Sequence, residues 1–363
     1  MKFHFWLPHG PTAAEVARWD PDVDPQRYAS GVGHNLVELY KRLESLGMDV
    51  SAGADVPRDT GLLVVFLKSA FEKRPPHRWS LRAALRAVQQ VRGRFVLIRS
   101  DAPPEWDFPV KPVAEFVPTA SMIKHPWQHW LPPLPQRGLI PRRPERYGRI
   151  RSLAWKGNPP SVHPDLLSPH WQEALAERNV RWWLDMPSHT DGSDQSWHDF
   201  SEVDAILCVR TPEHTARFGE AKPPTRLINA WSAGAIPFAD REPGYLELAS
   251  EDEDALFIDS PSACLELIDR LNSDPHTVAA IEERCRARGE EFSVKNVVAR
   301  WRDALLDAAD EAPIGIAHGV TRRAQIATQR SAVSAQIVVE PVWDGARRAL
   351  VRARTALLRT PHA

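Results

Sequence analysis

The chain has 363 residues, 43% of them hydrophobic and 26% charged, with a formal net charge of −1. That is the profile of a globular protein long enough for two cores, not of a disordered or fibrous chain, and the missing basic field argues against a nucleic-acid partner. Three cysteines, Cys208, Cys264 and Cys285, form no CxxC pair, which predicts reduced, buried thiols in a cytoplasmic protein. No signal-type apolar segment and no run of about eighteen apolar residues occurs, so neither standard export nor membrane spanning is expected.

In chain order, Lys2 to Leu7 reads as a first strand, ended by Pro8-His9-Gly10-Pro11. Gly31-Val32-Gly33 then leads into a helix whose apolar face is Leu36, Leu39, Leu43 and Leu46, stopped by Gly47 and followed by a strand. Leu62 to Leu67 is a buried strand, 81–92 a basic amphipathic helix, and Phe95 to Ile98 a strand ending at Arg99-Ser100-Asp101. The prolines clustered at 103–144 predict a stiff, irregular segment. The rhythm restarts with strands at Ile150–Trp155, Val180–Leu184 and Ala205–Val209 and a helix at 164–178. Beyond 250 come a strand at Ala255–Ile258, a helix at Ser262–Leu271 and one or two more helices over 275–309. Two βαβ units in succession imply two parallel sheets, with domains at 1–145 and 146–310 and a basic tail at 311–363. In that tail residues 343–358 predict a helix with arginines on one side. It reads as a surface helix packed on the first domain, with peripheral contact to an anionic inner membrane face as the second reading.

The stretch Lys222 to Leu248 concentrates the chemistry. Leu227, Ile228 and Trp231 recur at helical spacing, Gly234 stops the helix, and Ala235 to Ala239 suits a buried strand. The start of such a helix beside Lys222 and Arg226 is an anion site. Glu242 follows in the loop after the strand, where open α/β sheets bind ligands. An anionic, hydroxyl-bearing ligand fits that combination. Arg210, at another strand end, and Asp101, as an acceptor-side base, are further candidates. Gly31 and Gly33 would let backbone approach a ligand at the cleft between domains.

Leu227-Ile228-Asn229-Ala230-Trp231-Ser232-Ala233-Gly234 and the Ala235-Ile236-Pro237 that follows resemble the C-terminal domain of GT-B-fold glycosyltransferases. The nearest match is the large retaining family whose signature is a glutamate, seven residues, and a second glutamate in a helix reading L-x-E-A-x-A-x-G. FIDSPSACLELIDRLNSDP and FSVKNVVARWRDAL resemble the elements that follow there, and SGVGHNLVELYKRLESLGMDV resembles the family's first glycine turn and helix. Asn229 stands where the family has its ribose-binding glutamate; Ala221 occupies the position of the first glutamate, with Glu220 one residue off. Lys156, in WKGN, lies near the family's phosphate-binding arginine.

The resemblance implies two Rossmann-like domains facing a cleft. It further implies a glycosyltransferase that moves a sugar from a nucleotide sugar to a glycan, lipid or small-molecule acceptor, with retention and without a metal or other cofactor. Glu242 and Asp101 would be catalytic, and Lys222, Arg226, Asn229, Lys156, Arg210, Gly31 and Gly33 would bind the donor. The alternatives are a nucleotide-sugar epimerase and a catalytically silent sugar-nucleotide-binding or scaffold protein, which the Asn229 and Ala221 departures suit. Asp20, Asp22 and Asp24, and Asp252 and Asp254, spell D-x-D in loop or acidic surface runs and read as chance. His125 and His129 flank Pro126, unlike a zinc helix, and no P-loop, G-x-S-x-G or G-x-G-x-x-G pattern is present.

Overall fold

The structure, a computed structural model, describes residues 1–8, 11–28, 30–71, 80–100, 102, 106–186 and 197–311. Asp101 and the expected tail helix at 343–358 lie outside the described residues.

The first half folds as β1 (Phe3–Trp6), α1 (Ala13–Ala17), α2 (Glu38–Ser45), β2 (Val50–Gly53), β3 (Leu62–Phe66), α3 (Leu67–Phe71), α4 (Ser80–Gln90), β4 (Phe95–Ile98), β5 (Ala114–Val117) and β6 (Gln128–Trp130). Its six strands are all parallel, in the order β2-β1-β3-β4-β5-β6. The second half contains β7 (Ser152–Lys156), α5 (Pro169–Glu177), β8 (Arg181–Asp185), β9 (Ala205–Cys208), α6 (Pro212–Phe218), α7 (Thr225–Ala233), β10 (Ile236–Ala239), α8 (Pro243–Leu246), β11 (Leu256–Phe257), α9 (Ala263–Ser273), α10 (Pro275–Glu291) and α11 (Val294–Asp310). This sheet is also wholly parallel, in the order β11-β10-β9-β7-β8. The two-sheet α/β architecture is therefore the one expected. It follows from strands such as LLVVF and AILC, which are buried along their whole length and can only sit between two layers of helices.

Several local expectations change. The proline-rich stretch carries β5 and β6, because its short AEFV segment finds backbone partners on the edge of β4 and QHW then pairs with AEFV. Leu46 caps α2 and is 53% exposed instead of completing its apolar face. The turn from Gly33 to Val37 is a π-helix before α2 proper begins. Residues 164–167 form a separate 3-10 turn ahead of α5, and α6 is an added helix between β9 and α7. Helix α7 starts at Thr225 with Pro224 as its N-cap, after both prolines, and ends at Gly234 with φ of 71° as expected. All three cysteines are buried and unpaired. Among the described residues no helix is long and apolar enough to cross a membrane.

Two features join the halves. The connection after β6 is clamped to the second half by Arg142, whose fully buried guanidinium donates to Asp204 Oδ1 at 2.9 Å and Glu282 Oε1 at 2.6 Å. The chain then returns, because α11 lies against the first sheet. Trp301 donates from Nε1 to the Pro132 carbonyl at 2.9 Å and meets the Phe116 ring edge-on at 5.2 Å.

Candidate donor site

In the second sheet, β7 continues to β8 on one side while β9 leads to β10 and β11 on the other. The C-terminal ends of β7 and β9 thus mark the topological switch point, the usual ligand position of an open parallel sheet. Arg226, in the first turn of α7, spans it. Its Nη1 donates to the Val209 carbonyl just beyond β9 at 2.8 Å, and Nη2 to Ser161 Oγ at 3.3 Å. The guanidinium lies 4.8 Å from the centroid of the Trp155 ring in β7. Its hydrogen-bond acceptors are neutral, a carbonyl and a hydroxyl. Burial first, and the Arg210 charge second, hold the guanidinium below its ordinary value.

Gly157 makes room for it. A Cβ at that position would lie 2.2 Å from Arg226 Nη2 and 3.0 Å from Trp155. We predict that Gly157→Ala displaces the guanidinium and lowers stability by about 1–2 kcal/mol, the scale of modest overpacking. Urea unfolding of both proteins checks this, and an unchanged midpoint would show that Arg226 is not held where it is seen.

The remaining sequence candidates divide by what they touch. Glu242 is the N-cap of α8, only 2% exposed, with Oε2 accepting from Arg210 Nη1 and Oε1 from Thr215 Oγ1 at 3.3 Å. It is a buried counter-ion and not an open loop carboxylate. Arg210 also donates to the Tyr245 hydroxyl at 3.3 Å. Burial works to lower the Arg210 guanidinium, but Tyr245 and Glu242 raise it above its ordinary value. Lys156 ends β7 and pairs with Asp185 at 3.2 Å; burial lowers its ammonium and the Asp185 charge opposes that. Lys222, half-buried, stands 5.8 Å from the Phe218 ring centroid just ahead of α7. Asn229 faces the connection between the halves, its Oδ1 accepting the Gln136 N–H at 2.7 Å.

Gly31 and Gly33 belong to the first half. Gly31 lies near Phe66 at the end of β3, and a Cβ on Gly33 would come within 2.9 Å of the Tyr28 backbone, so Gly33 serves a close chain approach. Asp101 is outside the described residues. Lys222, Arg226, Arg210, Glu242 and Lys156 thus gather along the C-terminal edge of the second sheet, whereas Asn229 and the two glycines do not join them. Among the described residues no group of three or more His, Cys, Asp or Glu is placed to hold a metal.

Residues that sequence reasoning passed over complete the site. Gly157 and Ser161 shape the seat of Arg226. Asp240, at the end of β10, accepts the Arg210 N–H through Oδ2 at 3.1 Å. The first half closes on the same region. Glu247, just after α8, accepts the N–H groups of Ala120 and Ser121 at 2.5 and 2.7 Å, and Thr119 donates to the Glu220 carbonyl at 2.9 Å. The loop after β5 therefore abuts the segment that carries Lys222.

No curated protein shows a significant sequence match to the chain. Among solved structures, HepE from Anabaena in complex with UDP-glucose aligns at 13% identity with a TM-score of 0.49, over 85% of this chain and 100% of that one. The sucrose-phosphate synthase of Thermosynechococcus elongatus aligns at 10% identity with a TM-score of 0.47, over 68% of this chain and 73% of that one. Residues 156–303, which run from the end of β7 into α11 and include Gly157, Ser161, Val209 and Arg226, match the family model described as glycosyl transferase-like.

Proposed function

We propose that the protein is a glycosyltransferase that takes its sugar from a nucleoside diphosphate sugar bound at the switch point of the second sheet. The observation that carries this reading is Arg226. Its guanidinium hydrogen-bonds neutral acceptors, while Glu242 is engaged by the Arg210 side chain and Asp240 by the Arg210 N–H, so an anion from solution can pair with Arg226 directly. The first-turn amides of α7 add partial positive charge at the same place. As the bond between the sugar C1 and the diphosphate oxygen lengthens, negative charge grows on the leaving group and positive charge on the sugar ring. Arg226 would stabilise that growing charge, with Lys222 adding a more screened contribution. The acceptor hydroxyl would approach from the first half, across the junction formed by Thr119 to Ser121. This route draws its countercharge from protein cations and needs no divalent ion. Retention at C1 is what the resemblance implies.

Titration with a panel of nucleoside diphosphates, followed by turnover assays with the matching sugar donors, tests the proposal. Micromolar binding of one diphosphate with transfer or donor hydrolysis is the expected result, and failure of the whole panel to bind would sink it. A silent sugar-nucleotide-binding protein is the second reading, favoured by one observation: Glu242 and Asn229 both spend their oxygens on other protein groups. Diphosphate binding without any transfer or hydrolysis is the outcome that would select it.

A further inference from the structure

The patch around Arg226 holds four charged side chains: the cations Arg210 and Arg226 and the carboxylates Asp240 and Glu242. With both acids ionised the patch is neutral. Glu242 is committed, since both its oxygens accept hydrogen bonds from Arg210 and Thr215. Asp240 differs. Its Oδ2 takes the Arg210 N–H, while Oδ1 is shielded from solvent and accepts no hydrogen bond among the described residues. A carboxylate oxygen in that position is better off carrying a proton, because the neutral acid loses less solvation on burial than the anion.

The surroundings agree with that preference. Burial, and after it the Glu242 charge, push the Asp240 carboxyl up to about 7, against the pull of Arg210 and Arg226. The other groups facing it are neutral: burial pushes the Cys208 thiol at the end of β9 up to about 12, and burial likewise raises the Tyr245 phenol of α8 well above its ordinary value. Arg241, the next residue in the chain, is half-exposed and turned to Glu251 at 2.5 Å and Asp259 at 3.8 Å.

We infer that Asp240 sets the charge of the donor cradle, leaving it neutral when ionised and singly positive when protonated, so that a ligand with two fixed phosphate charges binds the protonated form more tightly. This rests on the reading of Arg226 as the diphosphate site. Asp240 is a positioning residue here, acting through the field at Arg226 and Arg210 without touching the ligand. The coupling is reciprocal: a bound dianion favours the proton on Asp240, and the proton favours the dianion.

Nucleotide sugars are the right probe, since their phosphates are diesters that do not titrate near neutral pH, so any pH dependence belongs to the protein or the base. Calorimetric titration with a panel of nucleotide sugars should show binding about tenfold tighter at pH 6 than at pH 8. Asp240→Asn should bind tightly at both. An equal pH slope in Asp240→Asn would overturn the inference. A second arm needs no ligand. An acid whose folded pKa is raised loses stability as pH climbs from its unfolded value of about 4 to its folded value, because the unfolded chain releases the proton first. Urea unfolding should therefore show wild-type stability falling relative to Asp240→Asn between pH 5 and about 7, then running parallel to it. Parallel profiles throughout would overturn the Asp240 inference. If the panel fails to bind while the unfolding difference appears, the diphosphate reading is the one that falls. Asp240→Ser serves the same comparisons should the asparagine variant not fold.

Discussion

Replacing Arg226 with alanine is expected to weaken nucleoside-diphosphate binding by about 1.5–3 kcal/mol, roughly ten- to a hundredfold, the range for hydrogen bonds to charged groups. The loss should fall on affinity far more than on stability. Removing the guanidinium relieves its repulsion with Arg210, and the Val209 carbonyl keeps the Trp155 Nε1 donor at 2.9 Å. Arg226→Lys should fall between the two, because an ammonium keeps the charge but cannot reach two acceptors with a planar fork. Calorimetry with the diphosphate and urea unfolding of the same preparations separate the two effects. Affinity unchanged in a folded Arg226→Ala protein would mean that this cation has no phosphate to meet.

The parts of this site that were legible in the sequence are the local ones. The buried runs of β3, β4, β9 and β10 announce themselves because parallel strands covered on both faces need continuous apolar side chains. Gly234 announces the end of α7 because the helix closes through a left-handed residue. A cation in the first turn of α7 was visible for the same reason, since it opposes the helix dipole and needs an explanation. What stayed hidden depends on contacts between distant positions. That Glu242 is claimed by Arg210, 32 residues earlier, and Asn229 by Gln136, 93 residues earlier, leaves no local pattern. Asp240 lies in FADREPG, between the end of a buried strand and Glu242, where nothing in the local pattern singles it out. Its character comes from burial against the ends of β9 and α8. Strands β5 and β6 were missed because three- and four-residue segments between prolines carry too little periodicity, and only the pairing of β5 with β4 and of β6 with β5 makes them strands.

The largest stability effect is expected at Arg142, in the connection between the two sheets. Arg142→Ala should cost about 3–5 kcal/mol, the scale for stranding a buried ionic partner. Asp204 would keep the Arg146 Nη2 at 2.7 Å and the Arg151 N–H at 2.8 Å. Glu282 would not fare as well, because it is 4% exposed and among the described residues would retain only the Gly148 N–H, at 2.9 Å from Oε2. The Tyr147 ring, 4.7 Å from the guanidinium, would also lose its cation. Arg143 provides the control, since its side chain is 57% exposed and its partner Glu202 is 36% exposed. Arg143→Ala makes the same change in net charge yet should cost no more than about 1 kcal/mol. If desolvation of Glu282 is the cause, Glu282→Gln added to Arg142→Ala should recover part of the loss, because a neutral amide tolerates burial better than an unpaired carboxylate. Urea unfolding followed by tryptophan fluorescence measures all three. Equal midpoints for Arg142→Ala and Arg143→Ala would show that the buried clamp contributes no more than a surface ion pair, and that apolar packing alone fixes the connection.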